Sequence, residues 1–259
     1  VRSLLRFVIF VLLAVFSSLV SSASAQETES AVDGFLARSY HSPSGETMLY
    51  RLFVPADYAA TKKYPLVLWL HGAAGRGSDN LLQITGGNTL GTHVWTTAEN
   101  QAKYHAFVLA PQVSETKSWA RPHANTPASS IRLALEILDS VEKEYSIDTG
   151  HVYVAGQSMG GEGVWAALAA APERFAAALA LCGYGFDDMV AVNAKTPVWI
   201  FQGDTDSGVP VETARRWVEL LRAAGGDPKY TEVAGWGHNV WEKAFRDPDV
   251  VPWLFSNRR

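Results

Sequence analysis

Five short, unbroken apolar runs dominate the pattern of this chain: residues 65–71, 105–110, 151–155, 175–181 and 197–201. Each is too short for a buried helix, and turn residues or polar stretches separate them. Runs of that kind predict strands covered on both faces, as in a parallel sheet. Residues 35–42 and 47–55 flank the turn cluster Pro43-Ser44-Gly45-Glu46 and predict two further strands. Between the later runs the period changes to that of a helix. Ile131, Leu135, Leu138 and Val141 mark one face of residues 129–145, with Glu136, Asp139, Glu142 and Lys143 mostly off it. Residues 164–170 are alanine-rich and helical. Ala214, Trp217, Val218 and Leu221 give residues 211–224 an apolar face that stops before Gly225-Gly226. Residues 229–234 predict a last strand and 247–255 a closing helix. Strands alternating with helices, after two early strands, predict one α/β sheet with helices on both faces.

The first residues do not fit that frame. Arg2 and Arg6 precede an apolar stretch, residues 7–20, and Ser21-Ser22-Ala23-Ser24-Ala25 follows. A basic start, a short apolar centre and small residues at the end describe a signal peptide. The stretch is shorter than the roughly 20 residues of a membrane-spanning helix. Residues 1–25 are therefore expected to be cleaved, 26–34 to be disordered, and 35–259 to form one catalytic domain in a secreted or periplasmic protein. The chain carries 22 basic and 26 acidic residues and has no basic stripe, which argues against a nucleic-acid partner. After signal cleavage no stable membrane association is expected. Cys182, the single cysteine, lies in an apolar run and reads as a small core residue, so no intrachain disulfide can form. The histidines are scattered and no pair has ligand spacing beside a carboxylate, so neither a metal nor a cofactor is expected.

The chemistry is written in Gly156-Gln157-Ser158-Met159-Gly160, between the run 151–155 and a helical stretch. Glycines two residues before and after a serine permit a sharp strand-to-helix turn that leaves the hydroxyl exposed above the end of the sheet. A serine hydroxyl needs a neighbouring base, and the base an orienting carboxylate. Where the serine stands on such a turn, the acid and then the histidine follow it in the chain. The segment after the run 197–201 offers Asp204 and Asp206. Asp206, just before Val209-Pro210, is the preferred acid, and Asp204 its alternative. His238, between Gly237 and Asn239, is the only histidine after Ser158. An oxyanion formed during attack needs preorganised donors. The backbone N–H of Met159 is one candidate, and the glycine-rich loop from His71 to Asn80 supplies the other, at Ala73 or the adjacent Ala74. His71 reads as a structural hydrogen-bonding residue rather than a second base. Trp119, Tyr184, Trp236 and Trp241 are candidate substrate-binding aromatics on the rim, with Trp95 a weaker one.

The ordered set of segments resembles a secreted branch of the α/β-hydrolase superfamily, near polyhydroxybutyrate-depolymerase-like and feruloyl-esterase-like proteins and those described as predicted peptidases. The resemblance rests on residues 50–55 and 64–72, on Gly75-Arg76-Gly77-Ser78-Asp79-Asn80, and on Ala110-Pro111-Gln112 with Trp119 beyond. Gly156 to Gly161 and Gly237-His238-Asn239-Val240-Trp241 complete it. It implies an α/β-hydrolase fold with a mostly parallel central sheet, and a serine esterase whose triad falls on Ser158, Asp206 and His238. Two positions depart from the family pattern: Glu162 where an aromatic is common, and Gln202 where His-Gly is common. Neither is expected to touch a triad member, and Glu162 is expected to alter the field near the pocket. The short stretch between residues 183 and 197 implies no large cap domain and a site open to a small-molecule or polymer-linked ester. The same triad would also serve a serine peptidase of the prolyl-oligopeptidase-like type, and the fold could carry a non-catalytic binding protein. Residues alone leave acyl and alcohol preference and oligomeric state open.

Overall fold

The computed structural model describes residues 31–87, 89–120 and 129–259. The expected signal peptide at 1–25 and the first residues of the expected disordered segment lie outside them. Among the described residues, nine strands form one sheet: β1 (Ala31–Val32), β2 (Phe35–His41), β3 (Thr47–Phe53), β4 (Tyr64–Leu70), β5 (Phe107–Pro111), β6 (Ile147–Gln157), β7 (Ala177–Leu181), β8 (Val198–Gly203) and β9 (Lys229–Val233). Their order is β1-β2-β3-β5-β4-β6-β7-β8-β9. The first three strands and the β3–β5 pairing are antiparallel, and every later pairing is parallel. The expected α/β architecture is thus present.

The apolar runs are continuous because both faces of the sheet are covered. Leu66, Leu68, Leu70, Val152, Val154, Ala178, Ala180, Val198 and Ile200 pack on one side. The helices Ser129–Glu144, Met159–Ala170 and Val211–Ala223 cover that side with Ile131, Leu138, Val164, Leu168, Val218 and Leu221. Val67, Trp69, Tyr153, Ala155, Leu179, Trp199 and Phe201 face the other way. They meet Ile84, Trp95, Val240, Phe245, Val250 and Leu254. Alternate residues of one strand therefore serve two cores, as the period of a strand requires.

Two expectations change. Residues 31–34 are ordered, not disordered: Ala31 and Val32 pair with Leu36 and Phe35 through a two-residue turn. Asp33 (φ 51°) and Gly34 (φ 83°) both take positive φ there. Asp-Gly is a favoured pair for a hairpin of that type, so the signal was present in the sequence. The closing helix begins at Val250, later than expected, because the Asp247 side chain accepts from the Asp249 amide at 3.0 Å and turns the chain first.

Candidate active site

Strand β6 delivers the chain to Ser158, and the helix starts at the next residue. Ser158 has φ 52° and ψ −122°, a left-handed backbone that costs a non-glycine residue strain. A Cβ on Gly160 would fall inside the carbonyl oxygen of Leu70, and one on Gly156 would strike the carbonyl of Gly160. The turn can close only with glycine at both places. The Ser158 amide donates to Leu181 O at 2.8 Å, and Ser158 O accepts from the Glu162 amide at 3.0 Å. The strained serine is therefore held from β7 as well as by its own helix.

The loops after β8 and β9 bring Asp206 and His238 to it. Ser158 Oγ lies 2.7 Å from His238 Nε2, and His238 Nδ1 lies 2.8 Å from Asp206 Oδ2. The Asp206 side chain is fully buried, and that of His238 is 35% exposed. Asp206 Oδ1 accepts from the amides of Gly208 (2.8 Å) and Val209 (2.9 Å). Burial alone would raise the Asp206 pKa. The Val209 amide, His238 and the Gly208 amide outweigh it and hold the carboxyl below its usual range. An ionised carboxylate can only accept, so His238 carries its proton on Nδ1 and turns the Nε2 lone pair to the serine hydroxyl. That arrangement can draw a proton from Ser158. Asp204 does different work: its Oδ1 accepts from the Gly235 amide at 2.7 Å and ties the β8 and β9 loops together. Of the two candidates, Asp206 is the one that reaches the histidine.

The loop after β4 lies against the same turn. Ala73 opens a single 3₁₀ turn, Ala73–Gly75, and Met159 is the first residue of its helix. First-turn amides have no partner within their own helix, which holds for both positions. Buried polar groups brace the loop. Arg51 Nε donates to Asn80 O at 2.5 Å, and Gln112 accepts from the Asn80 amide at 2.7 Å while donating to Asp79 at 2.7 Å. His71 Nε2 accepts from the Val113 amide at 3.1 Å, so Nδ1 carries the proton and donates to Gly72 O at 2.6 Å. Burial pushes the His71 pKa down to about 4, and the residue is a neutral strut. Arg51 and Gln112 went unassigned in the sequence. A charged side chain within β3 and an amide side chain just after the apolar β5 were the available signals.

The aromatic candidates divide. Trp119 is fully buried, donates to His71 O at 2.9 Å and sets its edge against the His71 ring. It braces the loop and has no surface to offer a substrate, which corrects its assignment to the rim. Trp95 is buried too, against Phe245. Trp241 is half-buried and stands edge-on to the His238 ring, with centroids 5.7 Å apart. Trp236 is half-buried under the Lys243 ammonium at 5.3 Å. Tyr184 lines a cavity of about 610 Å³ with Phe186 and Trp217.

Three further residues matter. Cys182 is buried with φ 40°, and its sulfur, an Asp206 oxygen and a His238 nitrogen lie within 4.8 Å of one another. Both His238 nitrogens are engaged by Ser158 and Asp206, so a metal ion there would have to displace one of them. Burial pushes the Glu162 carboxyl up while Arg76 draws it down. Gln202, expected to stand clear of the triad, donates from Nε2 to Asp206 Oδ2 at 3.0 Å. It stands one residue before the end of β8 and reaches the acid loop at Asp206 and Val209 O, which the sequence position did not reveal.

Residues 42–247 match the protein family described as "Putative esterase". The chain is 25% identical over 231 residues to a protein of Aspergillus niger described as "Probable feruloyl esterase C", covering 88% of this chain and 80% of that protein. Among solved structures, a thermostable esterase superposes with a TM-score of 0.82 at 38% identity, over 88% of this chain and 64% of the other. The chain thus spans less than two thirds of that esterase's length. The feruloyl esterase module of Clostridium thermocellum, solved with sinapinate, superposes with a TM-score of 0.63 at 15% identity, over 87% of this chain and 92% of the module. At that identity the likeness is one of fold.

Proposed function

Because the chain belongs to the esterase family of α/β-hydrolases, carboxylic-ester hydrolases by class, we propose that it cleaves its ester through Ser158, His238 and Asp206 and an acyl-enzyme. The observation that carries this reading is the unbroken line of hydrogen bonds from Ser158 through His238 to Asp206. His238 Nε2 takes the hydroxyl proton as Ser158 Oγ attacks the ester carbonyl carbon. Asp206, ionised and fixed, stabilises the imidazolium and keeps its tautomer. The oxyanion is received by the amides of Met159 and Ala73, the former at a helix N-terminus whose dipole favours negative charge. His238 returns the proton to the departing alcohol oxygen as the carbonyl–oxygen bond breaks. Water then repeats the sequence on the acyl-enzyme and frees Ser158.

The substrate we propose is an aryl or hydroxycinnamoyl ester, small or attached to a polymer. The Aspergillus niger relative, described as a feruloyl esterase, supports it. So does the half-buried ring of Trp241, edge-on to His238. We further propose export by a signal peptide at residues 1–25, supported by its basic start and apolar centre. The domain that follows then begins by Ala31 rather than residue 35.

The test is hydrolysis of p-nitrophenyl acetate, p-nitrophenyl butyrate and methyl ferulate by wild type and Ser158→Ala. Turnover by wild type, lost in a folded Ser158→Ala, is the expected result. Equal turnover by the two proteins would overturn the assignment of Ser158. Peptide cleavage that outpaces ester hydrolysis and is lost in Ser158→Ala would make the same site a peptidase. N-terminal sequencing of the exported protein tests the cleavage site.

A further inference from the structure

Gln202 stands behind the acid. It is 1% exposed, and its Nε2 lies 3.0 Å from Asp206 Oδ2, 2.9 Å from Val209 O and 3.3 Å from Gly203 O. Its Oε1 is buried and has no hydrogen-bond partner. Turning the amide over would set Oε1 against a carboxylate oxygen and a carbonyl, so the three acceptors determine its orientation. An orphaned amide oxygen in a protein interior is destabilising and calls for a reason. The reason lies with the carboxylate. Asp206 receives four donors, the Gly208 and Val209 amides on Oδ1 and His238 and Gln202 on Oδ2. Two come from the backbone of its own loop and one from the histidine it serves. Gln202 is the fourth, delivered from the end of β8, a strand paired on both sides. It ties the catalytic loop to the sheet twice, through Asp206 and through Val209 O.

We propose that Gln202 is a positioning residue of the hydrolase: its amide holds Asp206 Oδ2 on His238 Nδ1 and offsets part of the carboxylate's charge, without touching substrate. The proposal rests on the assignment of Ser158, His238 and Asp206 made above. Among the described residues, two titratable groups face the buried carboxylate. One is His238 at 2.8 Å, and the other is Cys182, whose sulfur is within 4.8 Å and whose thiol burial pushes up and keeps neutral. Removing the amide therefore leaves a more negative, less constrained partner for His238. The imidazolium is then stabilised more, and higher pH is needed to free the base. An isosteric carboxyl in place of the amide goes further, because it sets a second buried acid beside Asp206 and the two titrate as a pair.

The experiment measures kcat and KM for p-nitrophenyl acetate from pH 5 to 9 on wild type, Gln202→Met, Gln202→Glu and Ser158→Ala, with a thermal melt of each. Gln202→Met is expected to lose about tenfold in kcat with KM little changed, as for loss of a hydrogen bond to a charged group. Its acid-side midpoint should rise by about half a pH unit, and that of Gln202→Glu by about one unit or more. A packing defect alone would lower the melting temperature and leave both midpoints at the wild-type value. Unmoved midpoints in folded variants overturn the proposal, and so does failure of both variants to fold, which would make Gln202 purely structural. Failure of the triad assignment is seen separately, as hydrolysis that survives Ser158→Ala.

Discussion

The carbonyl oxygen of Leu70, at the end of β4, occupies the place where a side chain on Gly160 would begin. Two neighbouring strands and a helix start meet there with no room for one carbon. Gly160→Ala is therefore expected to push the helix off β4 and displace Ser158. Such overpacking costs on the order of 1–3 kcal/mol of stability, and here it also removes the strained serine geometry. A lower melting temperature together with loss of fluorophosphonate labelling at Ser158 would show this. Normal labelling would refute it.

Asp206 and Asp204 lie two residues apart, yet one faces His238 and the other the Gly235 amide. Asp206→Asn should reduce kcat roughly 10³–10⁴-fold with little change in KM, because the amide favours the wrong imidazole tautomer. Asp204→Ala should retain most activity while losing about 1 kcal/mol of stability, the worth of one hydrogen bond. Steady-state kinetics and melting curves on both variants separate the two, and a reversed pattern would exchange the assignments.

His71 predicts a pH dependence of stability. Its pKa is held at about 4 in the folded state against 6.5 when unperturbed. Below pH 6.5 the unfolded chain binds a proton that the native state refuses, so stability falls as pH drops. The fall ends near pH 4, where both states are protonated, and amounts to roughly 3 kcal/mol. The melting temperature should decline from pH 7 to pH 4.5, and His71→Asn should flatten that slope. An equal slope in the variant would show that other groups carry it.

Trp119→Phe removes the indole donor to His71 O and leaves that carbonyl buried without it. A loss of about 1–3 kcal/mol in stability is expected, with KM unchanged. Trp241→Ala should do the opposite, raising KM for aryl esters more than it lowers the melting temperature. A large rise in KM for Trp119→Phe with normal stability would return that residue to the substrate site.

Much of this arrangement was legible in the residues. Continuous apolar runs announce strands covered on both faces, because a strand buried on one face must alternate. The spacing of Gly156, Ser158 and Gly160 announces the turn, because no other residue type fits beside a crowded backbone. The order of serine, aspartate and histidine follows the order of strands along the chain. Even the Ala31–Val32 hairpin was written in Asp33-Gly34, although the polar composition around it suggested otherwise.

What only the tertiary structure decided concerns groups whose work depends on a neighbour far along the chain. Asp204 and Asp206 are chemically identical, and the choice between them came from a Gly235 amide and a His238 ring brought in by β9. A tryptophan can line a rim or fill a core, and Trp119 was settled by the carbonyl of His71 in the loop after the neighbouring strand. Gln202 appeared only as a departure from a family pattern until β8 set its amide against Asp206. Periodicity reports burial and local turn chemistry because both are short-range constraints on the chain. Hydrogen-bond partners between distant loops are a matter of distance and angle, which no pattern along the sequence encodes.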